Sequence, residues 1–543
     1  MILNNINMDD IKSKLKSKYI FVTGGVLSTV GKGITAASVF YLLKEAGFKV
    51  KINKFDPYLN EDCGTMNPKE HGEIFVTHDK GEVDLDLGSY ERFLNIETRK
   101  RDVMTSGNFY KKILEKERRG LFFGKNVQIM PDMVNEICDY IVEEDDGFDF
   151  SIFEIGGTAG DVELLPYLNA IRIIGGVFIH VGWIPYLQSS LEFKTKPFQH
   201  SLQFLMSSGI VPDILILRSE LPLNNEVTEK IKHTTFNNNI ITISNRKSVY
   251  EVPSIINEQN ILKYIFHKFN MKEKNIKISN MFNDIVRISN SDKYIARILL
   301  IGKYKVSPEV YKSIEESIQH ASFIYKGKSS IVYKICDSIE DNGILHDYDA
   351  CVFLGGFGTN LTDRIIELIG YTRVNNIPTL LICFGMQLAM IEMARNVLKI
   401  SDATSVEFSE EGSHIVCVVD DDYNPVVRNK RIGGTLRVGG INLKINTCSR
   451  LYDFYKNYHR LKEKDIVVEK FRHRYWINHE FQEKFEKIGV IFCMKDEDNK
   501  NGLEAMELKN HKFFVGTQFH PELYSTFYNP HPIFIAFIKA IIK

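Results

Sequence analysis

The chain has 543 residues, 44% hydrophobic and 25% charged, values that exclude a disordered or fibrous protein and leave material for several sizeable cores. Its 68 Lys and Arg nearly cancel 69 Asp and Glu, so no whole-chain field points to nucleic acid or to a membrane, and basic residues have to be read locally. The eight cysteines, at 63, 138, 336, 351, 383, 417, 448 and 493, form no CxxC pair, which argues against a disulfide framework or a zinc site; with no signal-peptide core and no apolar run of about 18 residues, the expectation is a cytoplasmic protein without a membrane span.

Residues 1–17 read as an N-terminal extension. KYIFVT at 18–23 reads as a buried strand, a Gly-rich turn follows, and a helical pattern through ITAASVFYLLKEAG closes at Gly47. VKINKF at 50–55 completes a βαβ unit, so the sheet is parallel. SIFEIG at 151–156, GVFIHVGWIP at 176–185 and DILILRS at 213–219 continue it as buried strands. The polar, Asn- and Lys-rich stretch 273–293 reads as a linker between an α/β domain at 18–272 and a second α/β domain at 294–543, which runs through IARILLIGKY, YDACVFLGG, IPTLLICFG and HKFFVGTQFHPE. No internal repeat is present.

The segment from Gly24 to Thr35, GGVLSTVGKGIT, leaves a strand and enters a helix. Backbone N–H groups at such a helix start face phosphates, and Lys32 adds a compact positive charge. The spacing departs from GxxxxGK[ST]: Gly25 lies six residues before Gly31, and Gly33 stands where a hydroxyl residue is usual, so a Gly-rich turn with an incidental lysine is the alternative. Downstream, the alternation Val83-Asp84-Leu85-Asp86-Leu87 predicts a strand-like segment with both aspartates on one face, an oxygen-ligand pattern for Mg²⁺, with Glu154 as a third carboxylate; each taken singly is more often solvated or structural. FKTKPFQH at 193–200, if extended, places Lys194 and Lys196 on one face near Gln199, suited to a second polyanion or equally to a solvated turn.

In IPTLLICFGMQLAM an apolar strand runs into Cys383 and then a helix, the pattern of a nucleophile elbow whose helix start favours the thiolate; a buried structural cysteine is the plainer reading. GTQFHPEL offers His520 and Glu522 two residues apart on an apparent strand, a carboxylate placed to orient an imidazole base, and Gly355 and Gly356 offer N–H groups for an oxyanion hole. Together they point to a class I glutamine amidotransferase site.

TGGVxSxxGKG, KxDPYxN, GTMxPxEHGE, DLDLGxYERF, KERRG, EIGGTxGDxE and KTKPxQH, followed by GGFG, CxGMQ, HRYxxN and QFHPE, resemble the CTP synthase family in order from about Lys18 onward. The resemblance implies a P-loop-type synthetase domain followed by a glutamine amidotransferase domain. It implies that Gly25, Ser28, Thr29, Val30, Gly31, Lys32, Gly33 and Ile34, with Lys54 and Asp86, hold ATP, and that Asp86 and Glu154 hold Mg²⁺. UTP, or the product CTP, would lie on Ser28, Lys54, Asp161, Val162, Glu163, Lys194, Thr195, Lys196, Gln199 and Lys230, with Lys54 assisting phosphoryl transfer to O4 of the uracil and His71 beside the ammonia passage. Cys383 would form a glutamyl thioester with His520 and Glu522, while Gly355, Gly356, Phe357, Gln387, Glu407 and Arg474 recognise glutamine. It further implies a homotetramer, and filaments as an added possibility, with neither nucleic acid nor membrane as partner.

Four departures from the family pattern stand out. After GGFG the chain reads Thr359, Asn360, Leu361, Thr362, Asp363, Arg364 where an Arg- and Gly-containing lid is usual, which puts GTP activation in question. SNRKSVY at 244–250 is shorter and differently charged than the usual adenine-proximal segment; VPGGFG reads FLGGFG; and IPHIT reads MPDMV at 130–134. Two other readings stand beside the family one. Another glutamine-dependent amidoligase is opposed by KTKPxQH and DLDLGxYERF. An inactive filament-forming or regulatory protein is suggested by the altered lid and opposed by the full set of Cys383, His520, Glu522, Lys32, Asp86 and Glu154.

Overall fold

The computed structural model describes residues 8–304, 308–418, 434–498 and 502–542. The chain divides into two units, one built from 1–62 and 101–290, the other from 63–100 and 291–543. The first unit therefore does not take the whole of 18–272: the segment 63–100 leaves it and packs with the second. The stretch 273–293 is also more than a linker, since it contains the helix Asn280–Asn290, whose Phe282 and Ile285 are buried.

In the first unit β1 (Lys18–Gly25), β2 (Val50–Asp56), β3 (Val103–Thr105), β4 (Phe150–Ile155), β5 (Val177–Trp183), β6 (Ile214–Ser219) and β7 (Ile240–Ser244) form one sheet in the order β7-β6-β5-β1-β4-β2-β3. Every pairing is parallel. Parallel strands have both faces covered, which is why β1, β2 and β4 read as unbroken buried runs. Phe153 packs between Phe21 and Phe55, with ring centroids 5.8 and 5.0 Å away. The carboxyl ends of β1, β4, β5 and β6 lie along one edge, the place where open α/β sheets bind ligands. Helix α1 (Lys32–Glu45) follows β1, and α2 (Lys196–Ser207) follows β5.

In the second unit β8 (Tyr294–Gly302), β9 (Lys328–Ile335), β10 (Ala350–Phe353), β11 (Thr379–Ile382), β12 (Arg437–Ile445), β13 (Ile466–His473), β14 (Val490–Asp496), β15 (Leu503–Leu508) and β16 (Phe514–Thr517) form a sheet in the order β9-β8-β10-β11-β16-β15-β14-β12-β13. The first five positions pair in parallel and the remainder antiparallel. Alternate residues feed two cores: Leu299, Ile301, Phe353 and Leu381 on one face, Ile298, Leu300, Val352 and Leu380 on the other. Helix α3 (Lys312–Ile324) packs in the second core, and α4 (Phe384–Asn396) follows β11 directly.

The 63–100 segment contributes a hairpin, Ile74–Val76 against Glu82–Asp84, and the helix Leu85–Leu94. The strand expected across 83–87 stops at Asp84. Its carboxylate caps the helix by accepting from the Asp86 N–H at 3.4 Å, so Asp86 lies in a first helical turn and not on a common strand face with Asp84. Side-chain capping outweighs apolar alternation there.

Candidate active site

The turn from β11 into α4 places Cys383 at φ 52°, ψ −103°, a conformation that a non-glycine residue holds only under constraint. The constraint is visible: its N–H donates to the Thr517 carbonyl at 2.6 Å, and Gly385 sits so close to β10 that a Cβ there would stand 2.6 Å from the Phe353 oxygen. Sγ accepts from Gln518 Nε2 at 3.5 Å and lies 3.9 Å from the Arg472 carbonyl. The elbow aims the sulfur out of the strand.

β16 ends at Thr517, so His520 and Glu522 do not share a strand as their spacing had suggested. His520 precedes the 3₁₀ turn Pro521–Tyr524, and this turn folds Glu522 back so that Oε1 lies 2.7 Å from His520 Nδ1. The His520 N–H is anchored on the Lys470 carbonyl at 2.9 Å. Burial works against protonation of His520, but the charges of Glu522 and of Cys383 outweigh it and hold the imidazole well above its usual value. Gly355 packs against both groups: a Cβ there would meet His520 Cε1 at 3.3 Å and Cys383 Cβ at 3.9 Å. A cavity of about 110 Å³ opens at this point, lined by Cys383, His520, Glu522, Gly355, Gly356 and, from the 63–100 segment, Glu73.

Around it, Phe357 donates its N–H to the Tyr304 hydroxyl at 3.2 Å, and Lys303 Nζ grips the Phe357 and Gly358 carbonyls at 2.8 and 2.7 Å. The Phe357 N–H is thus engaged within the turn itself. Glu407 accepts from the Gly358 N–H at 2.7 Å, and burial raises its carboxyl. Gln387 Nε2 bonds the Tyr475 carbonyl at 2.8 Å and Gln518 Oε1 at 3.1 Å, and Arg474 reaches Thr435 Oγ1 at 2.9 Å. In the altered lid, Thr362 already begins the helix Thr362–Val374, and Arg364 is held by the Ile339 carbonyl and Glu367. His71 is exposed at the end of the short helix Pro68–His71, whose Pro68 lines the cavity.

In the first unit the loop 26–31 joins β1 to α1. Val26, Thr29 and Gly31 all have positive φ, and α1 has no side-chain N-cap, so its first N–H groups are disposed for an anion. Ser28 and Thr29 are exposed on this loop, Val30 is buried, and Gly33 and Ile34 form the first turn of α1. Lys32 reaches across the sheet edge to the Gly157 carbonyl at 2.8 Å, and Gly24 accepts from the Ala159 N–H at 2.7 Å, tying the loop to the turn after β4. Lys54 and Glu154 are register partners on β2 and β4, both buried, and Lys54 Nζ lies 3.3 Å from Asp56.

The 193–200 stretch is not extended throughout. Lys196 opens α2, while Lys194 pairs with Glu192. Gln199 bonds Thr195 at 3.4 Å and Thr234 at 3.2 Å, drawing α2 toward the helix Asn225–Thr235 that carries exposed Lys230. Asp161, Val162 and Glu163 form an exposed turn after β4, where Asp161 accepts from the Thr158 N–H; among the described residues this turn has no hydrogen bond to the 194–230 group.

Among the described residues no three His, Cys, Asp or Glu side chains cluster as a metal cage. Magnesium is commonly held by one or two carboxylates together with substrate phosphates, and buried Glu154 at the sheet edge beside the loop fits that mode. Asp86 belongs to the other unit. Sequence reasoning missed Lys303, Tyr304, Gln518, Arg472 and Glu73 around the thiol, and Arg218, whose guanidinium lies beside Gly31 with Nε unpartnered. Only Gln518 carried a signal, two residues before His520 in the same motif.

Two family models match the chain: "CTP synthase N-terminus" over residues 18–271 and "Glutamine amidotransferase class-I" over 306–540. The chain is 41% identical over 542 residues to a CTP synthase of Pelagibacter ubique, covering 96% of this chain and 99% of that one. It is 41% identical over 538 residues to one of Sulfolobus acidocaldarius, with the same coverage of 96% and 99%. Among solved structures it is similar to the glutaminase domain of Trypanosoma brucei CTPS with bound acivicin, at 30% identity and a TM-score of 0.40, covering 45% of this chain and 93% of that one.

Proposed function

This chain belongs to the CTP synthase family, a glutamine-hydrolysing ligase of pyrimidine biosynthesis that aminates UTP, and from that premise we propose how its own residues divide the reaction. The arrangement that carries the reading is Cys383 on its constrained elbow, beside an imidazole held by Glu522 at 2.7 Å and lining one cavity with Gly355 and Gly356. Cys383 Sγ attacks the glutamine amide carbon, His520 takes the thiol proton, and Gly355 and Gly356 steady the oxyanion. His520 then gives that proton to the leaving nitrogen, releasing NH₃ and leaving a thioester that water cleaves to glutamate. Gln387, Glu407 and Arg474 surround the amino acid end of glutamine.

In the first unit ATP lies on the loop around Lys32, with Arg218 as a further cation, and UTP on Lys194, Lys196, Gln199 and Lys230. Glu154 would hold Mg²⁺, which neutralises phosphate charge when bound. Lys54 steadies the γ-phosphoryl group as it passes to uracil O4. Ammonia then forms the bond to C4 while the O4 phosphate leaves, giving CTP, ADP and phosphate. The exposed turn 161–163 supports a UTP site completed by a second copy of the chain. Exposed Leu59, Leu114, Phe123 and Ile129 in the same unit support a homo-oligomer, read as a tetramer. With Arg364 engaged within its own unit, control by GTP departs from the family.

The test is CTP formation from ATP, Mg²⁺ and UTP with either nitrogen donor. Cys383→Ala should abolish glutamine-dependent synthesis and leave ammonia-dependent synthesis intact. Absence of CTP from either donor in the parent protein would overturn the reading. Loss of both in the variant would remove Cys383 from the role given to it.

A further inference from the structure

A buried chain of three side chains runs through the first unit beneath both nucleotide sites. His180 on β5 is fully enclosed; its Nδ1 lies 3.0 Å from Thr23 Oγ1 on β1, and its Nε2 lies 2.8 Å from Ser201 Oγ on α2. Thr23 Oγ1 also lies 3.3 Å from the Ile179 carbonyl, so its one hydroxyl proton serves either that oxygen or His180 Nδ1. In either tautomer both ring nitrogens are partnered, one donating and the other accepting. Burial, reinforced by the charge of Lys32, pushes the imidazole down to about 3, so the ring stays uncharged throughout the neutral range.

The chain touches both sites. Gly25, the last residue of β1 and the start of the phosphate loop, lies so close that a Cβ would stand 1.6 Å from Ser201 Oγ and 3.1 Å from His180 Cε1. At the other end Ser201 lies on α2 five residues after Lys196 and two after Gln199. An apolar residue at 180 would fill the same space more cheaply, because burying imidazole without any directional gain is unfavourable. What the hydrogen bonds add is a fixed separation between the loop and the helix.

We propose that the Thr23–His180–Ser201 chain fixes the phosphate loop against helix α2, making His180 a positioning residue on which the ATP and UTP sites depend together. The need is chemical: phosphoryl transfer from one nucleotide to the other demands that both be held in one geometry, and misplacement by about 1 Å can cost on the order of 10²-fold. The inference rests on the nucleotide sites proposed above.

The test measures KM for ATP and for UTP in the full-length protein with ammonia as nitrogen donor, which bypasses the thiol site. Ser201→Ala leaves Nε2 without its partner and should raise both constants together by about five-fold or more, with kcat changed less than either. His180→Asn cuts the same link, and the double variant should be no worse than the poorer single one, since two cuts in one chain are not additive. Lys32→Ala and Lys196→Ala serve as references. If they raise KM for ATP and for UTP respectively while Ser201→Ala changes neither constant, or only one, the coupling is overturned. If the references fail to do so, the site assignment falls and the coupling with it. A Ser201→Ala protein that merely melts earlier, with both KM values unchanged, also overturns the proposal.

Discussion

His520 and Glu522 show how much two residues can say and where they stop. Their spacing pointed to an imidazole held by a carboxylate, and the two do meet, yet the geometry that joins them is a 3₁₀ turn after β16, not a strand. Glu522→Gln should preserve the fold but favour the wrong imidazole tautomer, lowering kcat for glutamine hydrolysis by about 10²–10⁴-fold with KM little changed; steady-state glutaminase assays read this directly. Glu73 was invisible in sequence because nothing in GTMNPKEHGE distinguishes it from Glu70 or marks its surroundings. In the structure it accepts from the Ser313 N–H at 3.1 Å and lines the thiol cavity, and burial, only partly offset by the charge of Arg92, pushes its carboxyl from 4.5 up to about 7. Below 4.5 folded and unfolded chains both hold this proton; between 4.5 and about 7 only the folded chain does, so its contribution to stability falls as pH rises through that window and is level above it. Relative to the parent, Glu73→Gln should therefore gain in Tm between about pH 5 and about pH 7.5, and melting curves across that range check the sign.

At the scale of elements, the parallel strands were legible because buried β-strands of both units are continuous apolar runs, and the strand-to-helix turns at Gly31 and Cys383 were marked by their glycines. The helix Leu85–Leu94 was not. Val83-Asp84-Leu85-Asp86-Leu87 alternates like a strand, and only the Asp84 cap, a local hydrogen bond, selects the helix. The helix Asn280–Asn290 was hidden by its polar composition, although it buries only one narrow face. The elbow itself yields a sharp expectation. Gly385→Ala would press a methyl group against the Phe353 carbonyl, a backbone atom that cannot rotate away, so β10 and α4 must separate. Overpacking of this kind costs about 1–3 kcal/mol, and denaturant titration should show that loss together with a glutaminase decrease exceeding about ten-fold, since Cys383 moves with the turn.

For the whole molecule, the division of the chain was legible only in part, because apolar periodicity reports strands and helices but not which sheet they join. The 63–100 segment shows this best. Its Glu91 meets Lys470 Nζ at 2.8 Å, both buried, with the lysine between the rings of Phe75 and Tyr524, and its Glu82 meets Arg472 at 2.8 Å. Lys470→Met would leave Glu91 as an uncompensated buried charge and should cost about 3–5 kcal/mol; Lys470→Met with Glu91→Leu should recover much of it, as equilibrium unfolding would show. The pairing also sets a timetable. Glu91 and Lys470 are 379 residues apart, so at roughly 5–20 residues per second a ribosome releases the first about 20–75 s before it makes the second. During that interval Phe75, Leu87, Tyr90 and Phe93, all buried in the finished unit, exist without the strand that Lys470 belongs to. The ammonia-producing half of this enzyme is therefore finished only when the last quarter of its message has been read, and a nascent chain must keep an early apolar segment from aggregating until then.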